Sequence, residues 1–331
     1  MSLETTFQPA ALARGAHLQT MWANYAPRSP SASALARVAV ASPLPTPDGD
    51  RLRVHWNRAE PRGRSVLIVL HGLTGCAASP QVIGIAAKGW ARGFDVVRVD
   101  LRNASGDTQS TAIGHAGRSE DIRTVLDHVV ERAPRSTICI VGYSLGGNVA
   151  LKAMGEMSHS TPEQLRAVAT ISVPIDLDAA CRRIDAATNI VYRTYFVRRL
   201  RSIVARRAER VAGRYRQINL AGVRTIRGFD EAVVAPLGGF DNAADYYARC
   251  SALQFIESIR VRTLLIQAQD DPFIPFDAYR DPRIGSNSAV TLLATARGGH
   301  TGFYASSPHD RDAFWAENRA VDFCAAAAGL P

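Results

Sequence analysis

The sequence contains no hydrophobic run long enough to cross a lipid bilayer, although 47% of its 331 residues are hydrophobic. A transmembrane helix needs about 20 consecutive apolar residues, and the chain has no such stretch. Its start also lacks the basic region followed by an apolar segment that marks a secretory signal peptide. These absences predict a cytoplasmic protein without a membrane span.

Cysteine is also scarce, with five residues at positions 76, 139, 181, 250 and 324. They are scattered, odd in number and never spaced as Cys-x-x-Cys. A disulfide framework and a structural zinc site both need paired, closely spaced cysteines. The pattern therefore predicts neither, and nothing in the sequence calls for a metal or a cofactor.

Acidic residues are nearly missing from one segment, which accounts for most of the net charge of +9. Residues 182–227 hold thirteen arginines against only Asp185 and Glu209. This excess is typical of a solvated helical face, or of a patch that binds an acidic membrane surface or an anionic ligand. No aromatic-rich basic motif accompanies the arginines, so a nucleic-acid partner is not expected.

Short apolar runs alternate with segments of helical period along most of the chain. The alternation predicts a mixed, mostly parallel sheet with helices on both faces. A hairpin turn is expected at 46–50 and a flexible connection at 29–36. The predicted strands are 37–40, 52–56, 65–70, 94–99, 137–141, 167–173, 262–268 and 290–294, and the predicted helices are 80–92, 117–132, 145–157 and 308–327.

The alternation stops after Pro174 and resumes at Val261. Residues between these points are arginine-rich and mostly helical in pattern, with no convincing buried strand. We therefore expect one α/β core, formed by residues 1–174 and 251–331, and a helical cap insertion at 175–250 that covers one end of the sheet.

The segment "ICIVGYSLGGNVALK" at 138–152 contains the motif Gly-x-Ser-x-Gly. Gly142 and Gly146 flank Ser144, a β-branched run precedes the motif, and a segment of helix formers follows it. A strand, a sharp turn and a helix are the setting in which this motif exposes a serine hydroxyl as a nucleophile. Ser144 is the candidate nucleophile.

A serine nucleophile needs a histidine to take its proton and an acid to orient the histidine. In sheets of this type the acid and the histidine follow the serine on later loops. "LLIQAQDDPFIP" offers Asp270 or Asp271 as the acid, and "ATARGGHTGF" offers His300 as the base. Asp271 precedes a proline and could instead be a helix N-cap.

The oxyanion of an acyl-transfer reaction needs backbone donors close to the serine. The loop "VLHGLTG" and the residue after the nucleophile are the expected sources, through the N–H groups of Leu73 and Leu145. We expect His71, which lies in this loop, and His115, which lies in "GHAGRSED", to stabilise their own loops. A catalytic role is the alternative for His71. A pocket role is the alternative for His115.

The chain resembles the α/β-hydrolase superfamily, and within it the YheT-like bacterial hydrolases and their eukaryotic lipid-acting relatives. The resemblance implies Ser144 as nucleophile and His300 as base. It favours Asp271 as acid, because in related hydrolases the acid sits four residues before a proline. It also implies a helical cap where the strand pattern stops. One departure is Gly114, where this branch often has an aromatic residue. The resemblance is carried by "HLQTMW" (17–22), "HGLTG" (71–75), "RNASGD" (102–107), "HAG" (115–117), "GYSLGGN" (142–148), "FD" (229–230), "GF" (239–240), "YY" (246–247), "DDPFIP" (270–275) and "GGHTGF" (298–303).

The sequence thus predicts a serine hydrolase that cleaves carboxylic esters without a cofactor. A lipid or phospholipid esterase, docked on an anionic membrane surface through the arginine-rich cap, is an alternative. So is an acyl-CoA:alcohol acyltransferase with the same three residues. A non-catalytic binding protein is less favoured, because the nucleophile, acid, base and oxyanion loop are all present.

Overall fold

The computed structural model of the chain describes residues 7–58, 65–102, 104, 110, 112–210, 213–306 and 312–331, without the side chains of residues 23, 210 and 214. These residues form an α/β structure around one large sheet, as the sequence predicts. Part of the motif at 102–107 lies outside the described residues.

The described sheet has eight strands in the order β1-β2-β4-β3-β5-β6-β7-β8. β2 pairs antiparallel with both β1 and β4, and every other pairing is parallel. The carboxyl ends of the parallel strands therefore meet at one edge. The strands are β1 (Val40–Pro45), β2 (Arg51–Asn57), β3 (Ser65–Leu70), β4 (Asp95–Asp100), β5 (Thr137–Tyr143), β6 (Leu165–Ile171), β7 (Arg262–Ala268) and β8 (Val290–Thr295).

The central strands are buried on both faces because helices cover each side of the sheet. Along β3, Val66, Ile68 and Leu70 join one apolar cluster, while Leu67 and Val69 join the cluster on the opposite face. This alternation follows from the two-residue period of a strand. The helices are α1 (Ala16–Tyr25), α2 (Pro30–Arg37), α3 (Pro80–Ala91), α4 (Ser119–Arg132), α5 (Ser144–Met157), α6 (Leu177–Asp185), α7 (Ile190–Arg210), α8 (Ile226–Phe229), α9 (Ala235–Gly238), α10 (Ala243–Cys250), α11 (Pro282–Ser286) and α12 (Trp315–Ala328).

Two predicted segments were wrong, and one predicted helix starts later than expected. The flexible connection expected at 29–36 is helix α2, whose N-terminus is capped by the Ser29 hydroxyl accepting from the Ala32 N–H (3.2 Å), with Pro30 in the first turn. Ser-Pro is a helix-start signal that the small-residue composition obscured. The strand expected at 37–40 therefore starts only at Val40. The last helix starts at Trp315 rather than at 308, and 308–311 lie outside the described residues.

The hairpin turn at 46–50 is confirmed, since the Thr46 N–H donates to the Asp50 carbonyl (2.9 Å) and the Gly49 N–H to the Thr46 carbonyl (3.0 Å). Gly49 has a φ of 78°, in the left-handed region that a tight turn requires. This turn joins β1 to β2.

The described chain between β6 and β7 contains helices joined by turns and loops, and no strand. Helices α6 to α10 and a π-helical turn at Asp230–Val234 occupy this segment. Their apolar side chains form a separate cluster that also includes Ile113 and Ala116 of the core. The division at 175–250 stays a prediction, but this cluster shows how these helices attach to the sheet. Of the described helices, none is both long and apolar enough to cross a bilayer.

Candidate active site

Three side chains that are far apart in the sequence meet at the carboxyl edge of the sheet. Ser144 follows β5, Asp271 follows β7 and His300 follows β8. The Ser144 Oγ lies 3.1 Å from the His300 Nε2, and the His300 Nδ1 lies 2.9 Å from the Asp271 Oδ2. A carboxylate only accepts, so the Nδ1–H donates to Asp271 and Nε2 is left to accept from the serine.

Ser144 stands at the apex of the turn from β5 into α5. Its φ is 46°, a left-handed conformation that costs free energy for a non-glycine residue. The two motif glycines make the turn possible. A Cβ on Gly146 would overlap the carbonyl oxygen of His71, and one on Gly142 would lie 2.8 Å from the Cα of Gly147. Backbone therefore packs against backbone here, which holds the serine out from the sheet.

Asp271, and not Asp270, contacts the imidazole. The Asp271 Oδ1 accepts from the N–H groups of Phe273 (2.8 Å) and Ile274 (3.1 Å), which leaves Oδ2 for His300. Asp270 instead accepts from the Gly299 N–H through its Oδ1 (2.8 Å), and burial raises the pKa of Asp270. The two neighbouring carboxyls therefore have different roles, because Asp271 orients the ring and Asp270 anchors the loop that carries it.

The loop of His300 is held by α1. The His300 N–H donates to the Thr20 hydroxyl (2.9 Å), and a Cβ on Gly299 would overlap the Ala16 carbonyl oxygen. The Gln19 side chain donates to the Tyr304 carbonyl (3.0 Å) and accepts from the Tyr304 N–H (2.6 Å). Helix α1 is therefore part of the framework that positions the imidazole.

Leu73 and Leu145 both line the space in front of Ser144. Leu73 lies in the loop after β3, and Leu145 lies in the first turn of α5. The Leu73 loop runs against the serine, because a Cβ on the neighbouring Gly72 would lie only 3.1 Å from the Ser144 Cβ. Among the described residues neither backbone N–H has an acceptor, so both are available to a bound oxygen.

His71 stabilises this loop. Its Nδ1–H donates to the Gly72 carbonyl (2.8 Å), and its Nε2 accepts from the Leu101 N–H (3.1 Å). Burial lowers the pKa of His71, so the ring stays neutral and both nitrogens are occupied. This agrees with the structural role expected from the sequence.

His115 stabilises its loop and also lines the pocket. Its Nδ1 accepts from the Gly117 N–H (3.1 Å), and its ring packs edge-on against Phe240 and Tyr246. Burial lowers the pKa of His115 to about 3, and neighbouring cations such as Arg118 act in the same direction. Both roles considered for this histidine are therefore compatible with its position.

Two spaces meet at Ser144. An inner cavity of about 140 Å³ lies between the sheet edge and helices α6 to α10, and its walls are mainly apolar. An outer groove of about 710 Å³ leads from Ser144 and His300 to the surface between α1 and α7. Phe196 and Phe273 line both spaces. The serine hydroxyl is therefore open to a molecule that extends in two directions.

Several residues that hold the site together were not identified from the sequence. Gln19 and Thr20 belong to the motif at 17–22, but a motif does not show which loop it will contact. Asn148 is buried beneath Ser144, donates to the carbonyls of Ala116 (3.0 Å) and Cys250 (2.9 Å), and accepts from the Ala252 N–H (3.0 Å). It thereby ties α10 to the core. The only sequence signal for this role of Asn148 was its position as an amide side chain within the nucleophile motif.

The described side chains include no group of three histidines, cysteines or carboxylates that could hold a metal ion.

Comparison with known proteins identifies the fold family. A family model described as the alpha/beta hydrolase fold matches residues 65–306. The chain belongs to the α/β-hydrolase family. This α/β hydrolase is 32% identical to the putative esterase YheT of Escherichia coli (strain K12), over 85% of this chain and 83% of that protein. The YheT-like branch predicted from the motifs is therefore confirmed.

Another relative and a solved structure are consistent with this family. The chain is 26% identical to the mouse (Mus musculus) phospholipase ABHD3 over 78% of its length, but it spans only 65% of that protein. The Pyrococcus furiosus esterase Pf2001 has a similar structure, with a TM-score of 0.54 and 16% identity over 83% of this chain and 88% of that one. At that identity the likeness shows the fold alone. The family model and the sequence relatives YheT and ABHD3 identify this chain as an α/β hydrolase of the esterase and lipase type.

Proposed function

We propose that this protein hydrolyses carboxylic esters through an acyl-enzyme on Ser144. The observation that carries the proposal is the continuous hydrogen-bonded chain from the Ser144 hydroxyl through His300 to the buried Asp271. His300 removes the hydroxyl proton as Ser144 Oγ attacks the ester carbonyl, and Asp271 stabilises the resulting imidazolium. The backbone N–H groups of Leu73 and Leu145 donate to the tetrahedral oxyanion.

In the remaining steps His300 acts first as an acid and then again as a base. His300 gives its proton to the leaving alcohol, and the acyl group stays on Ser144. Water then enters, loses a proton to His300 and attacks the acyl carbon, and the proton returns to Ser144 as the carboxylic acid leaves. Atoms and charges balance without a cofactor.

The inner cavity supplies the site for the acyl chain. Its walls are mainly apolar, and its volume of about 140 Å³ is close to the ~150 Å³ cavity that accommodates a benzene molecule. Chains of about four to eight carbons should therefore be preferred. The alcohol part would then lie in the larger outer groove. A series of p-nitrophenyl esters of increasing chain length measures this preference through kcat/KM.

The nucleophile is tested by labelling with a fluorophosphonate probe. Wild-type protein should become labelled, and Ser144→Ala should not, because the probe bonds only to an activated serine. The variant should also lose several orders of magnitude in kcat while keeping its melting temperature. Ser286→Ala removes an exposed serine on α11 and serves as the matched control, with full labelling expected. A labelled, active Ser144→Ala protein would exclude the proposal.

A lipid ester is the second candidate substrate. It is favoured by the size of the outer groove, which is lined near the surface by exposed apolar side chains and the exposed Arg199. The name of the relative ABHD3 points in the same direction. Acyl transfer to an alcohol uses the same acyl-enzyme, and product analysis with and without added ethanol distinguishes it from hydrolysis.

A further inference from the structure

Helix α1 has its polar and apolar sides reversed relative to an ordinary surface helix. Gln19 and Thr20 are buried against the His300 loop, whereas the apolar residues at 18, 21, 22 and 25 face outward. Their spacing of three and four residues places them on one side of the helix. The exposed fractions are 54% for Leu18, 49% for Met21, 43% for Trp22 and 77% for Tyr25.

The start of α7 continues this apolar surface. The exposed fractions are 52% for Ile190, 75% for Val191 and 48% for Tyr195. The two helices are joined where the His17 Nδ1 lies 3.1 Å from the Tyr192 hydroxyl and the two rings stack at 5.6 Å. We call the exposed side chains of 18, 21, 22, 25, 190, 191 and 195 the apolar rim. Contiguous exposed apolar surface of this kind marks an interaction site.

Positive charge lies directly beside the apolar rim. Helix α7 carries seven arginines and a single acidic residue, Glu209. Helix α1 has no Asp, Glu, Lys or Arg. Arg198 and Arg199 line a shallow depression together with Ile190, Val191 and Tyr195. In the described part of the chain, neither arginine forms an ion pair with a carboxylate, so their charge is available to a partner.

Three other arginines of the cap are buried or paired with a carboxylate. Arg207 is buried and donates to the Ser110 carbonyl (2.8 Å), so it stabilises the fold. Arg182 and Arg227 both pair with Asp178. Arg198 and Arg199, by contrast, place exposed positive charge on α7, next to the apolar rim.

The outer groove opens at this surface. Its lining runs from Ser144 and His300 to Met21, Tyr25, Val191, Tyr195 and Arg199. A molecule that enters between α1 and α7 can therefore reach the serine along a groove lined by both apolar and polar side chains. An apolar rim with aromatic members, flanked by cations and continuous with the substrate groove, matches the chemistry of an anionic lipid surface.

We propose that the apolar rim and Arg198 and Arg199 dock this protein onto an anionic lipid bilayer, so that an ester lipid passes directly from the membrane into the groove. Delivery of substrate rests on the proposed esterase function, but the docking itself does not. The rim enters the headgroup and acyl boundary, and the arginines contact lipid phosphates or carboxylates.

The first experiment measures binding to vesicles by flotation. Vesicles of phosphatidylcholine alone are compared with vesicles containing about one third phosphatidylglycerol, at about 25 mM and about 500 mM NaCl. The protein should bind the anionic vesicles at low salt, and binding should weaken at high salt because the attraction is screened. Ser144→Ala should bind like the wild type, so a failure of docking is distinguishable from a failure of the proposed catalysis.

Charge and apolar contributions are separated by variants. Arg198→Glu should weaken binding to anionic vesicles by about tenfold or more, since each basic residue near such a surface contributes appreciably. Arg135→Glu, in the exposed loop before β5 at the opposite edge of the sheet, makes the same charge change and should bind nearly as wild type. Leu18→Ser combined with Ile190→Ser should weaken binding at both salt concentrations. Melting temperatures show that each variant is folded.

Trp22 reports insertion directly. It is exposed, whereas the other three tryptophans are buried or half-buried. Vesicles with brominated acyl chains should quench its fluorescence, and Trp22→Phe should bind while losing this quenching.

Three results would overturn the proposal. The first is no binding to anionic vesicles at low salt, and the second is an equal loss of binding in Arg198→Glu and Arg135→Glu. The third is a dimer in sedimentation velocity that the Leu18→Ser, Ile190→Ser protein dissociates, since the apolar rim would then be an interface between two copies of the chain.

Discussion

At the scale of single residues, the site shows how position alone gives two identical side chains different roles. Asp270 and Asp271 are adjacent, yet backbone N–H groups of Phe273 and Ile274 turn Asp271 inward, where its second oxygen meets the His300 ring. Asp270 points to the Gly299 backbone instead. The motif alone did not decide which of the two aspartates is the acid. The resemblance to related hydrolases favoured Asp271, which is the one that contacts the histidine.

Asp271→Asn should reduce kcat by about 10³–10⁴-fold, because an amide no longer selects the tautomer that leaves Nε2 free to accept the serine proton. Asp270→Asn should change kcat little, since an asparagine oxygen can still accept from the Gly299 N–H. Steady-state kinetics on one p-nitrophenyl ester measures both. Equal losses in the two variants would contradict the assignment.

At the scale of secondary-structure elements, the turn between β5 and α5 depends on backbone contact. Gly146 packs against the carbonyl oxygen of His71, in the loop that also holds Leu73. The glycine is therefore needed for two reasons at once: it exposes Ser144, and it lets α5 approach the loop of the proposed oxyanion donors. The sequence motif indicated the first reason, and only the packing shows the second.

Gly146→Ala should lower the free energy of unfolding by about 1–3 kcal/mol, because the new methyl group must displace backbone rather than a flexible side chain. It should also lower kcat, since the loop of Leu73 moves with it. The control is Gly285→Ala on α11, where a Cβ meets nothing within 4 Å. Thermal melts and kinetics of both variants measure the difference, and a Gly146→Ala protein as stable and active as the control would disprove this account of the turn.

At the scale of the whole molecule, the helices between β6 and β7 cover the inner cavity and bury the Asp230 carboxyl beside it. Asp230 accepts from the Tyr247 hydroxyl (2.7 Å), lines the cavity and lies among apolar neighbours. Burial raises the pKa of Asp230 to about 7, from an ordinary value of 3.8. Folding therefore favours the protonated form of this side chain.

Stability should consequently fall as the pH rises through this range. The folded chain holds the Asp230 proton up to about pH 7, whereas the unfolded chain releases it near pH 3.8, so the folded state binds more protons between these values. Asp230→Asn cannot ionise and keeps an oxygen for Tyr247. Its melting temperature relative to wild type should therefore rise by several degrees between pH 5 and pH 8. A constant difference across that interval, measured by calorimetry, would show that Asp230 is not protonated by burial.

The sequence by itself determined the features that depend on local pattern. Strands β3, β5 and β7, the turn at Ser144 and the order of the serine, acid and histidine loops follow from residue periodicity, glycine spacing and β-branched runs, which act within a few residues. The assignment to the α/β hydrolases followed from the same motifs. The cap boundaries, the roles of the site residues and the cytoplasmic location stay predictions.

Only the tertiary structure decided what depends on contacts between distant segments. The contact of Asp271, rather than Asp270, with His300 arises from packing between parts of the chain far apart in sequence. So do the hydrogen bond from His300 to Thr20 and the outward-facing apolar side of α1. Local pattern predicts that an amphipathic helix buries its apolar side, yet α1 buries Gln19 and Thr20 because the His300 loop needs hydrogen-bond partners. Burial is set by what the neighbouring segments require, and no short stretch of sequence contains that information.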